Sequence, residues 1–553
     1  MAWLAVASAD EATLRTALEA ELARATRELA IPDEEPPYLV TYDVLDGAYV
    51  TWHAELGAPL RIDEGPFRRL RVDVRTGGYA FDSSNFDALG QPDGTTVVGL
   101  PLEDDELALR REIWRATDRA YKQAVEQLGR KEAELSAMRD ELPPDFLAID
   151  PPTSGPVPAR VVEHAPIEQR VLACSRALAE VPGLESGEAA GQDLALSRLT
   201  VSSEGTRLAR GEGYAIVRVE GVMRAADGTR LRDGRWWVAA TPEGLPSVEE
   251  MVAETRALGA WLEVAAQAEV LDDYIGPVLF DGPAAVELFR QLAAPELVGT
   301  PPMREARGMF GEPSPEPRAT ARVGRRLLPE GWTLVDDPTL DGTPGSYVWD
   351  HEAVPASRVT LVEDGVVQRL LMSRVPRDVD DASTGHGRSR GSDRRSALPA
   401  VVRVTPKRAW SERRLRRRAL RMARSVGRDH VLVIRRLEPP SMTEDFQVFF
   451  TGDGPPPGLT PPYEAFRLYA DGREEVVRGA TFVGADRRAL RDIAGAGEVG
   501  PWVGVMDEQP GPGRFSVGAL GGLPAAWSVP AVLISELELE GRSGGDQREI
   551  PAP

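Results

Sequence analysis

Residues Asp273–Leu288 read DYIGPVLFDGPAAVEL. The apolar run Gly276–Phe280, closed by Asp281-Gly282, predicts a short buried strand. Pro283 then falls at the first-turn position that proline tolerates, so AAVELFRQLAAPEL is expected to be a helix. Downstream of this strand–helix unit the strand-like runs are GWTLVDD, YVWDHE, RVTLVEDGVVQRLLMS, VLVIRRL, FQVFF, FRLYADGREEVV, ATFVGA and AVLISELEL. Glu363-Asp364-Gly365 supplies the positive φ angles of a tight hairpin turn. A loop rich in Pro, Gly and Arg over 300–322 and a mobile polar stretch from Asp378 to Ser396 interrupt the series. A Gly/Pro/polar tail expected to be disordered ends it.

Upstream, LALSRLTVSS, EGTRLAR, GYAIVRVEGVMRA and GRWWVAA read as a β-meander, with Asp227-Gly228 and Asp233-Gly234 as turns. A helix around Ile167–Val181 precedes it. Ser247 is placed to cap the helix after it, ahead of Glu249-Glu250. The Pro-rich stretch Pro143–Pro158 marks a boundary. Before it lie an amphipathic helix over 11–29, with Leu14, Leu18, Leu22, Ala25 and Leu29 on one face, and a charged helix from Asp104 to Arg139. Between these helices, YLVTYDVL and AYVTWHAEL are expected to form a hairpin about Asp46-Gly47, and RRLRVDVRTGGYAF a strand pair about Gly77-Gly78. The expected class is α+β. A region with long helices spans 11–150, a β-meander and helix region 151–270, and a β-rich C-terminal region 271–545.

The chain has 553 residues, 42% hydrophobic and 27% charged, with a net charge of −22. That balance is globular, and the acidic bulk excludes nucleic-acid binding through the overall field. One cysteine, Cys174, excludes an intrachain disulfide and a Cys-rich zinc module. The five histidines, His53, His164, His351, His386 and His430, are too far apart in sequence for a helical metal pair. No run approaches the ~20 apolar residues of a membrane helix. Met1–Ala9, MAWLAVASA, reads as an apolar terminus of a cytoplasmic protein; the alternative is the end of a signal peptide in an exported one.

Single motifs fail on context. Gly495, Gly497 and Gly500 fit G-x-G-x-x-G, but with a helix expected before them and Pro501 after, they predict a helix-ending glycine loop. His351-Glu352 opens like H-E-x-x-H, but Pro355 stands at the second histidine. Lys407–Arg424, containing RRLRRRALRMAR, predicts a helix with a solvated arginine face, Leu415, Leu420 and Met422 packing inward. His386 is expected in a solvated loop. Cys174 is expected to be a buried inert thiol. Ser516 lacks the first glycine of a nucleophile elbow, Arg514 standing there.

The order of segments nevertheless resembles the TldD/PmbA family, once named modulators of DNA gyrase. The similarity rests on Asp273–Leu288, on LPEGWTLVDDPTL at Leu328–Leu340 and on DHEAVPASRVTLVEDGV at Asp350–Val366. STGH at Ser383–His386, RGATFVG at Arg478–Gly484 and SVPAVLISELEL at Ser528–Leu539 complete it. It covers about residues 35–542. The resemblance implies an N-terminal α/β domain, a C-terminal domain of mainly long antiparallel strands, and two related subunits enclosing a peptide cavity. A TldD-like subunit carries an H-E-x-x-x-H zinc helix and a downstream cysteine, and a TldE-like (PmbA) subunit lacks the metal. Peptide is held as an added strand.

Transferred residue by residue, the metal helix falls on Val278–Ala285, with Phe280 at the first histidine, Asp281 at the glutamate and Ala285 at the second histidine. The cysteine region, Asp507–Leu520, has none. No histidine lies between His164 and His351, whatever the register. The implied protein is a TldE-like subunit with no catalytic, cofactor-binding or metal-ligating residue and no cofactor. Its implied partners are unfolded peptide and a TldD-like zinc protease subunit, or a second copy of itself. The alternatives are a self-sufficient metallopeptidase using His351, His386 and His430, and a nucleic-acid or gyrase-associated module using Arg413, Arg414 and Arg416–Arg418.

Overall fold

A computed structural model describes residues 11–87, 94–135, 142–305, 323–389, 394–440, 458–508 and 522–542. The apolar N-terminus, FQVFF, Ser516, most of Asp507–Leu520 and the C-terminal tail lie outside the described residues. The class is α+β. Among the described residues six α-helices, α1 (Glu11–Glu28), α2 (Glu106–Leu135), α3 (His164–Ala179), α4 (Val248–Gln267), α5 (Pro283–Leu292) and α6 (Glu412–Ser425), pack on three large sheets.

The first sheet runs Phe81–Asp82, Ala58–Gly78, Pro37–Glu55, Leu184–Ser202, Arg207–Arg224, Arg230–Ala239, with Thr95–Gly99 added beside Ala58–Gly78. Its strands alternate by face. Val40, Tyr42, Val44, Val50, Trp52 and Ala54 face the helices: α1 and α2 cover one end and α3 and α4 the other. Asp43, Leu45 and Tyr49 point the opposite way, where the C-terminal half covers the sheet. Pro37–Glu55 pairs with Leu184–Ser202, so the boundary expected near residue 150 falls within one sheet.

The second, eight-stranded sheet holds Tyr274–Phe280 between Pro530–Gly541 and the parallel strand His430–Leu437. The third, six-stranded sheet ends at Gly522–Ser528 and then Val503–Glu508. A large core of residues from α5 and these two sheets fills the C-terminal half. No helix among the described residues is long and apolar enough to cross a membrane.

Four turn and loop expectations are corrected. Asp46-Gly47 lies inside one 19-residue strand, and the chain reverses at Leu56-Gly57, with φ of 42° and 87°. Asp46 is bonded to Arg68 at 3.0 Å, and a Cβ on Gly47 would stand 2.2 Å from the carbonyl oxygen of Ala195. That glycine serves close strand approach, not a turn. Asp233-Gly234 is likewise internal to Arg230–Ala239, with Asp233 fully buried against Arg235 at 2.8 Å. The Gly495–Gly500 motif is neither phosphate loop nor helix end but the strand Ile493–Val499, whose Gly495 makes room for the Trp410 ring. Finally, His386 is fully buried, and Gly387–Arg388 pairs with Ser396–Ala397.

α6 buries Leu415, Ala419 and Ala423, with Leu420 and Met422 packed beside them. Its arginines are partly engaged: Arg416 joins Arg435 on Glu474, and Arg414 and Arg418 lie over Trp410.

Ser247 caps α4 as expected, accepting from the Glu250 N–H while the Glu250 carboxylate accepts from the Ser247 N–H. Ser247→Ala should therefore lower stability by about 1 kcal/mol in urea titration. An unchanged midpoint would show that the box adds nothing to the packing of α4.

Candidate functional site

The strand–turn–helix at residues 274–292 positions the site. Phe280 ends its strand with its ring stacked on Phe482 at 6.0 Å. The Asp281 N–H donates to Ile434 O, and the Asp281 carboxylate accepts from the Gly282 N–H at 2.9 Å. Gly282 has a φ of 53°, a conformation that favours glycine, and Pro283 opens α5. Ala284, Ala285, Leu288, Phe289 and Leu292 bury the inner face. Glu287 is also buried, at 4% exposure, and is bound by Arg290 and by the Gln291 side-chain amide. Arg290 also donates to the carbonyl of Met506 at 3.0 Å, tying the helix to strand Val503–Glu508.

Beside α5 lies a small cleft with an enclosed volume of about 20 Å³, partly open to solvent. It is lined by Pro283, Val286 and Glu287 of α5 together with Trp236, Arg436, Leu437, Val503 and Val505. Trp236 and Val505 belong to the last strands of two different sheets. Sheet edges offer the backbone donors and acceptors that an extended peptide needs. The two edges approach closely: a Cβ on Gly504 would stand 2.0 Å from Val238 O.

A charged network lies behind the cleft. Arg235 bonds Asp233 at 2.8 Å and Glu464 at 2.5 Å, and Arg436 reaches Glu464 at 3.3 Å. Burial, with the Glu464 charge adding to it, pushes the Asp233 carboxyl up to about 7. Burial and the neighbouring Arg235 lower Arg436. The cleft thus combines apolar walls with fixed charges and holds no nucleophile or imidazole in its lining.

The three positions transferred from the zinc helix do not share a helix. Phe280 is the last residue of a strand, Asp281 lies in the turn, and Ala285 is the third residue of α5. Residues 280 and 285, five apart and on a strand and a helix, share no helical face from which two imidazoles could meet one ion. Glu287, the sole carboxylate of α5, is held by Arg290. The residues present at this helix do not fit a zinc ion.

The structure brings His351 and His386 near each other, because the His351 N–H donates to Gly387 O. Their rings diverge in use. His351 Nδ1 accepts from the Ser389 N–H at 3.0 Å, which puts the ring proton on Nε2, 3.8 Å from Glu212. His386 Nδ1 meets Thr384 O at 2.9 Å, and its Nε2 stands 3.8 Å from Asp336. His430 sits elsewhere, between the rings of Tyr274 and Tyr469. Among the described residues no three His, Cys, Asp or Glu side chains converge as a metal site. Cys174 is buried under the first sheet, and burial pushes its thiol up.

Sequence reasoning missed Trp236 and Arg436, and a cluster of Asp43, Arg198, Arg210, Glu212 and Arg395 on the sheet face turned from α1–α4. No local pattern marks them, since Asp43, Arg198 and Arg395 come together from segments far apart in the chain.

A family model described as the PmbA/TldA metallopeptidase C-terminal domain matches residues 275–430. A metalloprotease of Methanothermobacter thermautotrophicus is 49% identical over 53 residues, 10% of this chain and 12% of that protein. A TldD homologue of Haemophilus influenzae, also described as a metalloprotease, is 31% identical over 70 residues, 12% and 14% of the two chains. These alignments therefore span only about one-eighth of the relatives' length. Two solved structures match nearly end to end. TldE from Thermococcus kodakarensis has a TM-score of 0.58 and 14% identity, covering 95% of this chain and all of that one. A Thermotoga maritima chain described as a candidate modulator of a DNA gyrase has a TM-score of 0.60 and 13% identity, covering 95% and 99%. At such identity the likeness is one of fold.

Proposed function

From the premise that the chain belongs, through its C-terminal domain, to the TldD/PmbA family, we propose that it is a TldE-like subunit. It binds unfolded peptide for a zinc-bearing TldD-like partner in proteolysis or peptide maturation, and does no metal chemistry itself. The observation that carries this reading is α5. Its sequence, PAAVELFRQL, holds no imidazole, and its one carboxylate is neutralised by Arg290, whose guanidinium also holds strand Val503–Glu508 through the Met506 carbonyl. An ion needs free, converging donors, and a carboxylate bound by a guanidinium is a poor ligand and a poor base.

The cleft supports the binding half of the proposal. An extended chain added to one of the edges Arg230–Ala239 or Val503–Glu508, beyond their contact at Val238 and Gly504, would take its affinity from backbone hydrogen bonds, and so accept many sequences. Trp236, Val286 and Leu437 offer apolar contact for its side chains. We place the protein in the cytoplasm, in keeping with a fold whose single cysteine is buried and unpaired.

The test is zinc content, read by elemental mass spectrometry on the untagged chain purified alone. Far less than one zinc per chain is expected. One tightly held zinc per chain would overturn the reading and return the chain to being a metallopeptidase in its own right. A second expected result is that peptide hydrolysis by the purified chain is absent, insensitive to added chelator, and appears only with a zinc-bearing partner.

A further inference from the structure

Where the first sheet meets the C-terminal half, buried charge replaces apolar packing. Arg198 and Arg210 stand directly opposite each other on neighbouring strands. Like charges in that position repel unless something between them compensates. Arg198 is fully engaged, by Asp43 at 2.7 Å and by both oxygens of Glu212 at 2.8 and 3.1 Å. Arg210 gives only its Nε, to Glu212 at 2.9 Å, and its Nη1 and Nη2 have no partner. Arg395, arriving from the C-terminal half, bonds Asp43 at 2.9 Å, and its Nε has none. All three arginines are at least nine-tenths buried.

The balance is three guanidinium groups against two carboxylates, with three N–H-bearing nitrogens unsatisfied. A buried donor left without a partner, and a buried charge left without a counter-charge, are each costly. The nearest further carboxylate, Asp73, is bound by Arg75. His351 is neutral there, held well below its ordinary range by burial and by the surrounding arginines. The seam is open at one point: the Glu212 side chain is 24% exposed and the adjoining Gly211 is exposed.

We propose that this seam is a binding site for a small oxyanion, a carboxylate or a phosphate group, gripped by the free fork of Arg210 and balanced by Arg395. A guanidinium presents two parallel N–H groups that match two oxygens of such a group. The site stands apart from the cleft beside α5 and does not depend on whether the chain binds zinc.

The test is thermal unfolding of the full chain at constant ionic strength, with potassium phosphate, potassium acetate, or a short peptide bearing a free or an amidated C-terminus. A ligand that binds only the folded state raises Tm as its concentration passes Kd. The expected result is a saturable rise with at least one oxyanion. In Arg210→Gln the affinity should be at least tenfold weaker, with a Tm in the absence of ligand no lower than that of the unsubstituted chain. A response to acetate and to the free but not the amidated peptide assigns a peptide carboxylate; a response to phosphate alone assigns a phosphate group. No saturable rise, or the same rise in Arg210→Gln, would overturn the proposal. Should Arg210→Gln not fold, Arg210→Lys, which keeps the charge but loses the fork, serves the same comparison.

Discussion

Replacing Asp43 by alanine is expected to lower folding stability by about 3–5 kcal/mol, the scale on which breaking one partner out of a buried ion pair acts. Asp43 is 2% exposed. One of its oxygens bonds both Arg198 and Arg395, and the other accepts from the Thr200 hydroxyl. Arg395 comes from beyond residue 390 and Asp43 from the first strand, so this carboxylate joins the two halves of the molecule. Its loss would take from Arg395 its bonded carboxylate and leave Arg198 with Glu212 alone. Asp43→Asn keeps the shape and removes the charge, and is expected to cost nearly as much.

The pH dependence has a definite sign. Burial alone would raise this carboxyl, but Arg198, Arg395 and Arg210 together hold it well below the ordinary carboxylate range. A group depressed in the folded state adds stability that is present above its unfolded value, near 4, and lost as pH falls below it. The gap between the unsubstituted chain and Asp43→Asn, read by urea titration, should therefore be full at pH 6 and shrink below pH 4. A gap that stays constant across that range would mean the pair contributes through packing and not through charge.

Why this cluster is illegible in the sequence is a matter of distance along the chain. Asp43, Arg198 and Arg395 are separated by more than 150 residues at each step, and local patterning carries no information about which strand faces meet. What is local was readable. Leu14, Leu18 and Leu22 fall on one side of α1 and are buried there. The Asp364-Gly365 turn forms with both residues at positive φ. The cap of α4 and Pro283 at the start of α5 needed only their own neighbours.

The failures share one cause. Asp46-Gly47 and Asp233-Gly234 have the residues of a tight turn, but each sits where an adjacent strand or an arginine makes a second use of them. A dipeptide reports the conformations it permits. It does not report whether a neighbouring strand needs the missing Cβ. His386 was misjudged for a related reason. Its surroundings in sequence are polar and glycine-rich, yet His386 packs between Thr384, Asp336 and Leu398 and is closed off from solvent. The site beside α5 was legible by what the helix lacks, since no shift of register supplies a histidine between 164 and 351. The cleft itself was not, because it is made where the edges of two separate sheets meet.

That meeting of edges carries the second large expected effect. Gly504→Ala should force strand Val503–Glu508 away from Arg230–Ala239 and weaken peptide capture at least tenfold. A Cβ at residue 504 would stand 2.0 Å from Val238 O and 2.9 Å from its carbonyl carbon. Both are main-chain atoms, so no rotamer change relieves the clash, and one methyl group is as disruptive as a larger side chain. Overpacking of this kind costs up to about 3 kcal/mol. The strand cannot slide freely either, since it pairs with Gly522–Ser528 on one side and its Met506 carbonyl is held by Arg290. It must therefore tilt, and Val503 and Val505 tilt with it out of the cleft wall. Gly497→Ala is the matched control, because its Cβ would meet nothing nearer than 3.4 Å. Anisotropy of a labelled unfolded peptide, with the zinc-bearing partner present, separates the outcomes. If Gly504→Ala folds and holds peptide as tightly as Gly497→Ala, peptide capture does not depend on how these two edges meet, and the cleft beside α5 is a structural seam only.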